Sequence, residues 1–140
     1  MNIQNVSTNE AYEILSSDKN SVLFDVRTHS EWQTVGFPHH DSLANNVHLL
    51  SIREEPDMTI NFNFIKKVNT ILEGLFKIKD NLKTSIKIFF ICRSGKRSFQ
   101  AASLLSCDGY ENCYNIKEGF EGKNGWLDMK YKVNYKNNEL

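Results

Sequence analysis

The chain has no net charge, since 17 lysines and arginines balance 17 aspartates and glutamates over 140 residues. Without a global basic field, the composition argues against nucleic acid as the main partner. No apolar stretch approaches the ~20 residues of a membrane span, so no membrane partner is expected. Met1 to Asn5 has neither a basic region nor a hydrophobic core, and no signal peptide is expected there. Cysteine is scarce: three residues, an odd number, with no Cys-x-x-Cys pair and no histidine at zinc-ligand spacing. His29, His39, His40 and His48 read as polar surface or loop residues. No metal or cofactor is implied, and a reduced, cytoplasmic protein follows. Internal repeats and linkers are also lacking. The length suits one domain over 1–140, large enough to bury a core without staples, with a loose tail from about Asn134 to Leu140.

What is present is an alternation of strand-like and helix-like segments. Ile3 to Val6 reads as a first strand, followed by the capping-box pattern Ser7-Thr8-Asn9-Glu10 opening a helix through Ala11, Ile14 and Leu15. Ser21 to Val26 is the second strand. Thr28-His29-Ser30-Glu31 repeats the capping pattern before a short helical turn holding Trp32, which Gly36-Phe37-Pro38 breaks. A brief third strand is placed around Leu43 to Val47. Apolar residues at Phe64, Ile65, Val68, Ile71, Leu72, Leu75 and Phe76 give the spacing of an amphipathic helix over Phe62 to Ile78. Ile86 to Ile91 reads as a buried strand, Phe99 to Leu105 as a helix ended by Asp108-Gly109, and Cys113 to Ile116 as the last strand. Strands alternating with helices predict an α/β fold built on a parallel sheet.

The chemistry concentrates in Cys92-Arg93-Ser94-Gly95-Lys96-Arg97-Ser98, between that buried strand and its helix. The turn holds a thiol where backbone N–H groups and the helix dipole favour negative charge, with Arg93, Lys96 and Arg97 pushing the same way. Such surroundings favour a thiolate, the nucleophilic form of the sulfur. Packing of a buried cysteine and passive anion binding are the blander alternatives.

This loop fits the Cys-x-x-Gly-x-Arg-Ser pattern and resembles the rhodanese (sulfurtransferase) family in its single-domain form. Val22-Leu23-Phe24-Asp25-Val26-Arg27 followed by Glu31-Trp32 and Gly36 matches the family's strand, Asp-Val-Arg, Glu-aromatic and Gly. Gly109 to Ile116 with Glu118-Gly119-Phe120 and Trp126 resembles its last strand and closing segment. The resemblance implies a sheet of about five parallel strands with helices on both faces and a site at the carboxyl ends of the strands. It further implies sulfur transfer from a small anionic donor such as thiosulfate, through a Cys92 persulfide, to a thiol or protein acceptor. Arg93, Ser94, Gly95, Lys96, Arg97 and Ser98 would bind the substrate; Arg93 and Lys96 would contact the donor anion.

Several roles stay open at this stage. Ser98 either donates to the sulfur or caps the helix. Asp25 pairs with Arg97 or Arg27, bracing the loop or forming an ordinary strand-end ion pair. Arg27 either faces the cup or pairs with Glu31. Cys107 and Cys113 read as core residues. The chain departs from the family after Gly36, and Arg53 to Asn61 looks like an insertion that forms either one wall of the pocket or a partner site. A phosphatase or arsenate reductase of the same general fold would use Cys-x5-Arg, whereas Arg97 follows Cys92 after four residues. A non-catalytic rhodanese-like binding module is the other alternative; such modules commonly lack the cysteine.

Overall fold

The computed structural model describes residues 3–39, 43, 47–76 and 81–136. Its centre is a sheet of five parallel strands: β1 (Ile3–Val6), β2 (Ser21–Asp25), β4 (Val47–Leu49), β7 (Lys87–Ile91) and β8 (Cys113–Ile116), in the order β1-β8-β7-β2-β4. The continuous apolar runs of β2 and β7 are explained by this topology, because both faces of a parallel sheet are covered and both sets of side chains must be apolar. Val22, Phe24, Ile88, Phe90 and Cys92 enter one core cluster, while Leu23, Phe89 and Ile91 enter the other. The period-2 alternation therefore separates two cores rather than core from solvent.

Helices close both faces. α1 (Thr8–Ser17) buries Ala11 and Leu15 on one side, where Phe120 and Trp126 also pack. On the other side lie α3 (Phe64–Leu75), burying Phe64, Val68 and Leu72, and α5 (Lys96–Cys107), burying Ala101, Ala102 and Leu105. The short α4 (Leu82–Ser85) adds Leu82 to this second core. Each fully buried Leu, Val or Phe contributes about 1.5–3 kcal/mol, which outweighs the modest propensity of these helices taken alone. Both expected capping boxes form: Ser7 with Glu10, and Thr28 with Glu31 at the start of α2 (His29–Thr34).

The structure revises several boundaries. The strand expected around Leu43 to Val47 begins where that range ends, as Val47–Leu49; residues 44–46 lie outside those described. The long helix is shorter than its apolar pattern, ending at Leu75, and Ile78 lies outside the described residues. The tail expected from Asn134 does not start there, because β9 (Val133–Asn134) pairs antiparallel with β3 (Phe37–Pro38). Lys136 N–H also donates to the Trp32 carbonyl at 3.1 Å. Two residues per strand give no periodic signal, so only the tertiary pairing reveals this ribbon. His48 lies within β4, its ring 5.6 Å from that of Phe24, and burial lowers its pKa; it is not the polar loop residue expected. His40 lies outside the described residues. Cys113 is buried as expected, but Cys107 is exposed at the end of α5. Among the described residues, no helix is long and apolar enough to cross a membrane.

Candidate active site

β7 ends at Ile91, and the next residue is Cys92, at the carboxyl end of the middle strand. Gly95 follows in the left-handed region, φ 100°, and serves as the N-cap of α5 without a side-chain cap. A Cβ on Gly95 would lie 2.6 Å from the Lys117 carbonyl oxygen, so glycine is required there by both φ and contact. The tight turn carries the Gly95 N–H back to the Cys92 Sγ, donating at 3.1 Å. Cys92 is only 1% exposed, so its sulfur forms the floor of the loop rather than its rim.

The closing segment holds the loop from behind. Phe120 N–H donates to the Cys92 carbonyl at 2.7 Å and Glu121 N–H to the Arg93 carbonyl at 3.0 Å. Gly119 permits this approach: with φ 72°, a Cβ there would sit 2.4 Å from the Arg93 oxygen.

Ser98 does not cap α5. It is buried on the first turn, with Oγ 3.2 Å from Sγ, and it donates to Asn115 Oδ1 at 2.5 Å. Asn115, buried on β8, was not singled out from the sequence. An asparagine inside an otherwise apolar strand, flanked by Tyr114 and Ile116, was the available signal.

Of the two partners the sequence offers Asp25, the structure gives it Arg27, while Arg97 goes to Glu31. Asp25 binds Arg27, accepting from Nε at 2.9 Å and Nη2 at 2.6 Å, and both side chains are 0% exposed. Arg27 neither faces the cup nor meets Glu31; Nη2 donates to the Gly36 carbonyl, and the guanidinium lies 4.0 Å above the Phe120 ring. Asp25 therefore touches the loop only indirectly, through Arg27, the Phe120 ring and the Phe120 N–H on the Cys92 carbonyl. Arg97 instead forms a bidentate pair with Glu31, at 2.7 and 3.0 Å. Glu31 already accepts from Thr28 N–H and Oγ1 as the capping-box acid, and its remaining acceptor capacity is what Arg97 takes. The sequence reading offered Glu31 the cap and Arg27, not Arg97.

Of the three expected cations, then, Arg97 is neutralised by Glu31, and Arg93 lies beside Glu121 at 3.5 Å on the surface. Lys96 is exposed on the first residue of α5, and Ser94 is exposed in the turn. Residues 53–61 fold into the hairpin β5 (Arg53–Glu54) and β6 (Thr59–Ile60), whose tip reaches α2 through Ser30 Oγ donating to Glu55 at 2.5 Å. A pocket of about 360 Å³ lies between them, lined by Glu31, Glu55, Met58, Arg93, Arg97 and Glu121. The insertion thus supplies one wall of the pocket beside the loop. A larger cleft, about 600 Å³, lies near the amino ends of β1 and β8, lined by Ile3, Gly109 and Asn112 among others, and its lining includes no residue of the Cys92 loop.

Burial pushes the Glu31 carboxyl up, yet the hydrogen bonds from Arg97 and Thr28, with the Arg97 charge, outweigh burial and hold it below the usual 4.5. A carboxyl lowered on folding stabilises the fold above its unfolded value, and that stabilisation is lost as pH falls through the folded value. Melting temperature should therefore fall more steeply below about pH 4.5 in wild type than in Glu31→Gln, measured by thermal denaturation across pH. Parallel curves would show that the pair contributes no linkage.

A five-stranded parallel sheet in this order, with a cysteine loop between its middle strand and a following helix, defines the rhodanese-like fold. Residues 3–137 match the family model described as the STR4 middle domain, and the chain belongs to this rhodanese-like family. It is 43% identical over 129 residues to an uncharacterized protein of Rickettsia conorii, covering 90% of this chain and 93% of that protein. It is 28% identical over 122 residues to rhodanese-like domain-containing protein 4, chloroplastic, of Arabidopsis thaliana, covering 87% of this chain and 24% of that protein. Among solved structures, Rv0390 of M. tuberculosis superposes with a TM-score of 0.76 at 29% identity, covering 94% of this chain and 96% of that one.

Proposed function

We propose that the protein is a sulfurtransferase that carries a sulfane sulfur on Cys92, in a reducing, cytoplasmic setting. The observation that supports this most directly is the Cys92 sulfur held by the Gly95 N–H at the uncapped start of α5. In the first half-reaction, the Cys92 thiolate attacks the outer sulfur of thiosulfate or a related donor. A new S–S bond forms, the donor's S–S bond breaks, and sulfite leaves with the electron pair. In the second, a thiol, a protein acceptor or cyanide attacks the outer sulfur of the persulfide, and Cys92 leaves as thiolate. Two half-reactions through a covalent intermediate predict ping-pong kinetics. With no side-chain cap on α5, the N–H groups of Lys96, Arg97 and Ser98 are left to meet the charge on the outer sulfur.

The Glu31 clamp on Arg97 weighs against oxyanion chemistry, because a phosphatase needs that guanidinium turned toward the substrate oxygens. A cyanide–thiosulfate assay run beside a phosphate-ester assay tests the reading. Thiocyanate production without phosphate release is expected; the reverse result, or activity in neither, would overturn it.

Lys96 and Arg93 are the exposed cations placed to meet an anionic donor. Lys96→Ala and Arg93→Ala should each raise the apparent donor constant roughly two- to fivefold, as exposed charges do, with less effect on turnover. The effect should shrink at high salt, since screening operates beyond about 8–10 Å at 0.1–0.15 M. Equal losses at all salt concentrations would separate these side chains from donor binding.

A further inference from the structure

Asn115 sits behind Ser98, and its amide orientation is determined by backbone. Nδ2 donates to the Gly95 carbonyl at 3.2 Å and to Asn5 Oδ1 at 2.9 Å. A backbone carbonyl can only accept, so the nitrogen must face Gly95 and Oδ1 must face Ser98. Ser98 has a single hydroxyl hydrogen, which Oδ1 takes at 2.5 Å. Its Oγ then turns a lone pair toward Cys92 Sγ at 3.2 Å, where the thiol hydrogen is donated. The run is therefore Cys92 S–H to Ser98 Oγ, Ser98 O–H to Asn115, and Asn115 N–H to the loop carbonyl that opens α5.

The geometry points to Asn115 as a positioning residue that draws the Ser98 hydrogen away from Cys92 and so restrains formation of the reactive thiolate in the free protein. A thiolate would need that hydrogen for itself, and obtaining it means breaking the Ser98–Asn115 bond. Asn115 thus opposes the Gly95 N–H, which favours the anion. The proposal rests on Cys92 being the reacting thiol. The surrounding charges are Arg93 with Glu121, Lys96, Arg97 with Glu31 from α2, and Asp25 at the end of β2 with Arg27 just beyond it. None of them is altered by changing Asn115 or Ser98.

Alkylation by iodoacetamide, followed across pH on the Cys92 peptide by mass spectrometry, reads the thiol without any sulfur donor. Its outcome is therefore separable from failure of the sulfurtransferase assay. Asn115→Leu should free the Ser98 hydrogen for the sulfur and move the alkylation midpoint down by roughly half to one pH unit, the worth of one hydrogen bond. In a Ser98→Ala background the same substitution should move it no further. Should Asn115→Leu fail to fold, Ser98→Ala alone decides by sign. Loss of an acceptor for S–H lowers the midpoint, as proposed, and an unmoved midpoint would overturn the proposal. Loss of a donor to the thiolate would raise it and overturn the proposal. An unmoved or raised midpoint in Asn115→Leu, or an equal shift with and without Ser98, would also overturn it.

Discussion

Cys92→Ser should abolish sulfur transfer by several orders of magnitude while shifting the melting temperature by no more than a few degrees. A serine oxygen occupies slightly less space than sulfur and still meets the Gly95 N–H and Ser98 Oγ, so the loop keeps its contacts. What is lost is nucleophilicity, because a neutral hydroxyl attacks sulfur far more slowly than a thiolate. Mass spectrometry of wild type after thiosulfate should place one added sulfur on the Cys92 peptide. The other thiols differ in how far they compete. Burial pushes the Cys113 thiol up to about 12, leaving it protonated at neutral pH. Cys107 is exposed and is the real control. Persulfide on Cys107, with Cys92→Ser still active, would remove Cys92 from the mechanism.

Asp25→Ala should lower stability by about 3–5 kcal/mol, because it strands the fully buried Arg27 charge. For a chain of this length that corresponds to roughly 10–20 °C in melting temperature. Arg27 has little reserve: Nη1 is buried with no hydrogen-bond partner among the described residues, and Nη2 keeps only the Gly36 carbonyl once Asp25 is gone. Activity should fall as well, since the guanidinium lies on Phe120, whose N–H holds the Cys92 carbonyl. The double variant Asp25→Leu with Arg27→Met should recover much of the lost stability, because it removes both charges and leaves none uncompensated. By the same logic Asp25→Ala and Arg97→Ala should combine additively, as residues without a shared partner do. Strong coupling between Asp25 and Arg97 would contradict the pairing described here; a shift of only a degree or two in Asp25→Ala would mean that the Asp25–Arg27 pair is screened by solvent.

The strands β1, β2, β7 and β8 and the cysteine loop were legible in the sequence because their determinants are local. Short apolar runs at Val22–Leu23–Phe24 and Ile88–Phe89–Phe90–Ile91, rich in β-branched and aromatic residues, read as buried strands, and their alternation with helices gave the parallel sheet. Both capping boxes are set by residues three apart, and Gly95 by the φ its turn demands. The ribbon of Phe37–Pro38 with Val133–Asn134 was not legible, because nothing in two residues encodes a partner almost a hundred positions away.

The same division runs through the site. Residue type and spacing along the chain established a thiol at a strand-to-helix turn, its glycine and its cations, since those depend on backbone conformation within a few residues. Which carboxylate meets which arginine depended on how α2, β2 and the loop converge in space. Asp25 and Glu31 are both acids close to Arg27 in sequence, yet only the folded chain sends Arg27 inward to Asp25 and Arg97 across to Glu31. The hydroxyl behind the sulfur is governed likewise: Ser98 lies six residues from Cys92, but the amide that orients it arrives from β8, brought there by sheet pairing.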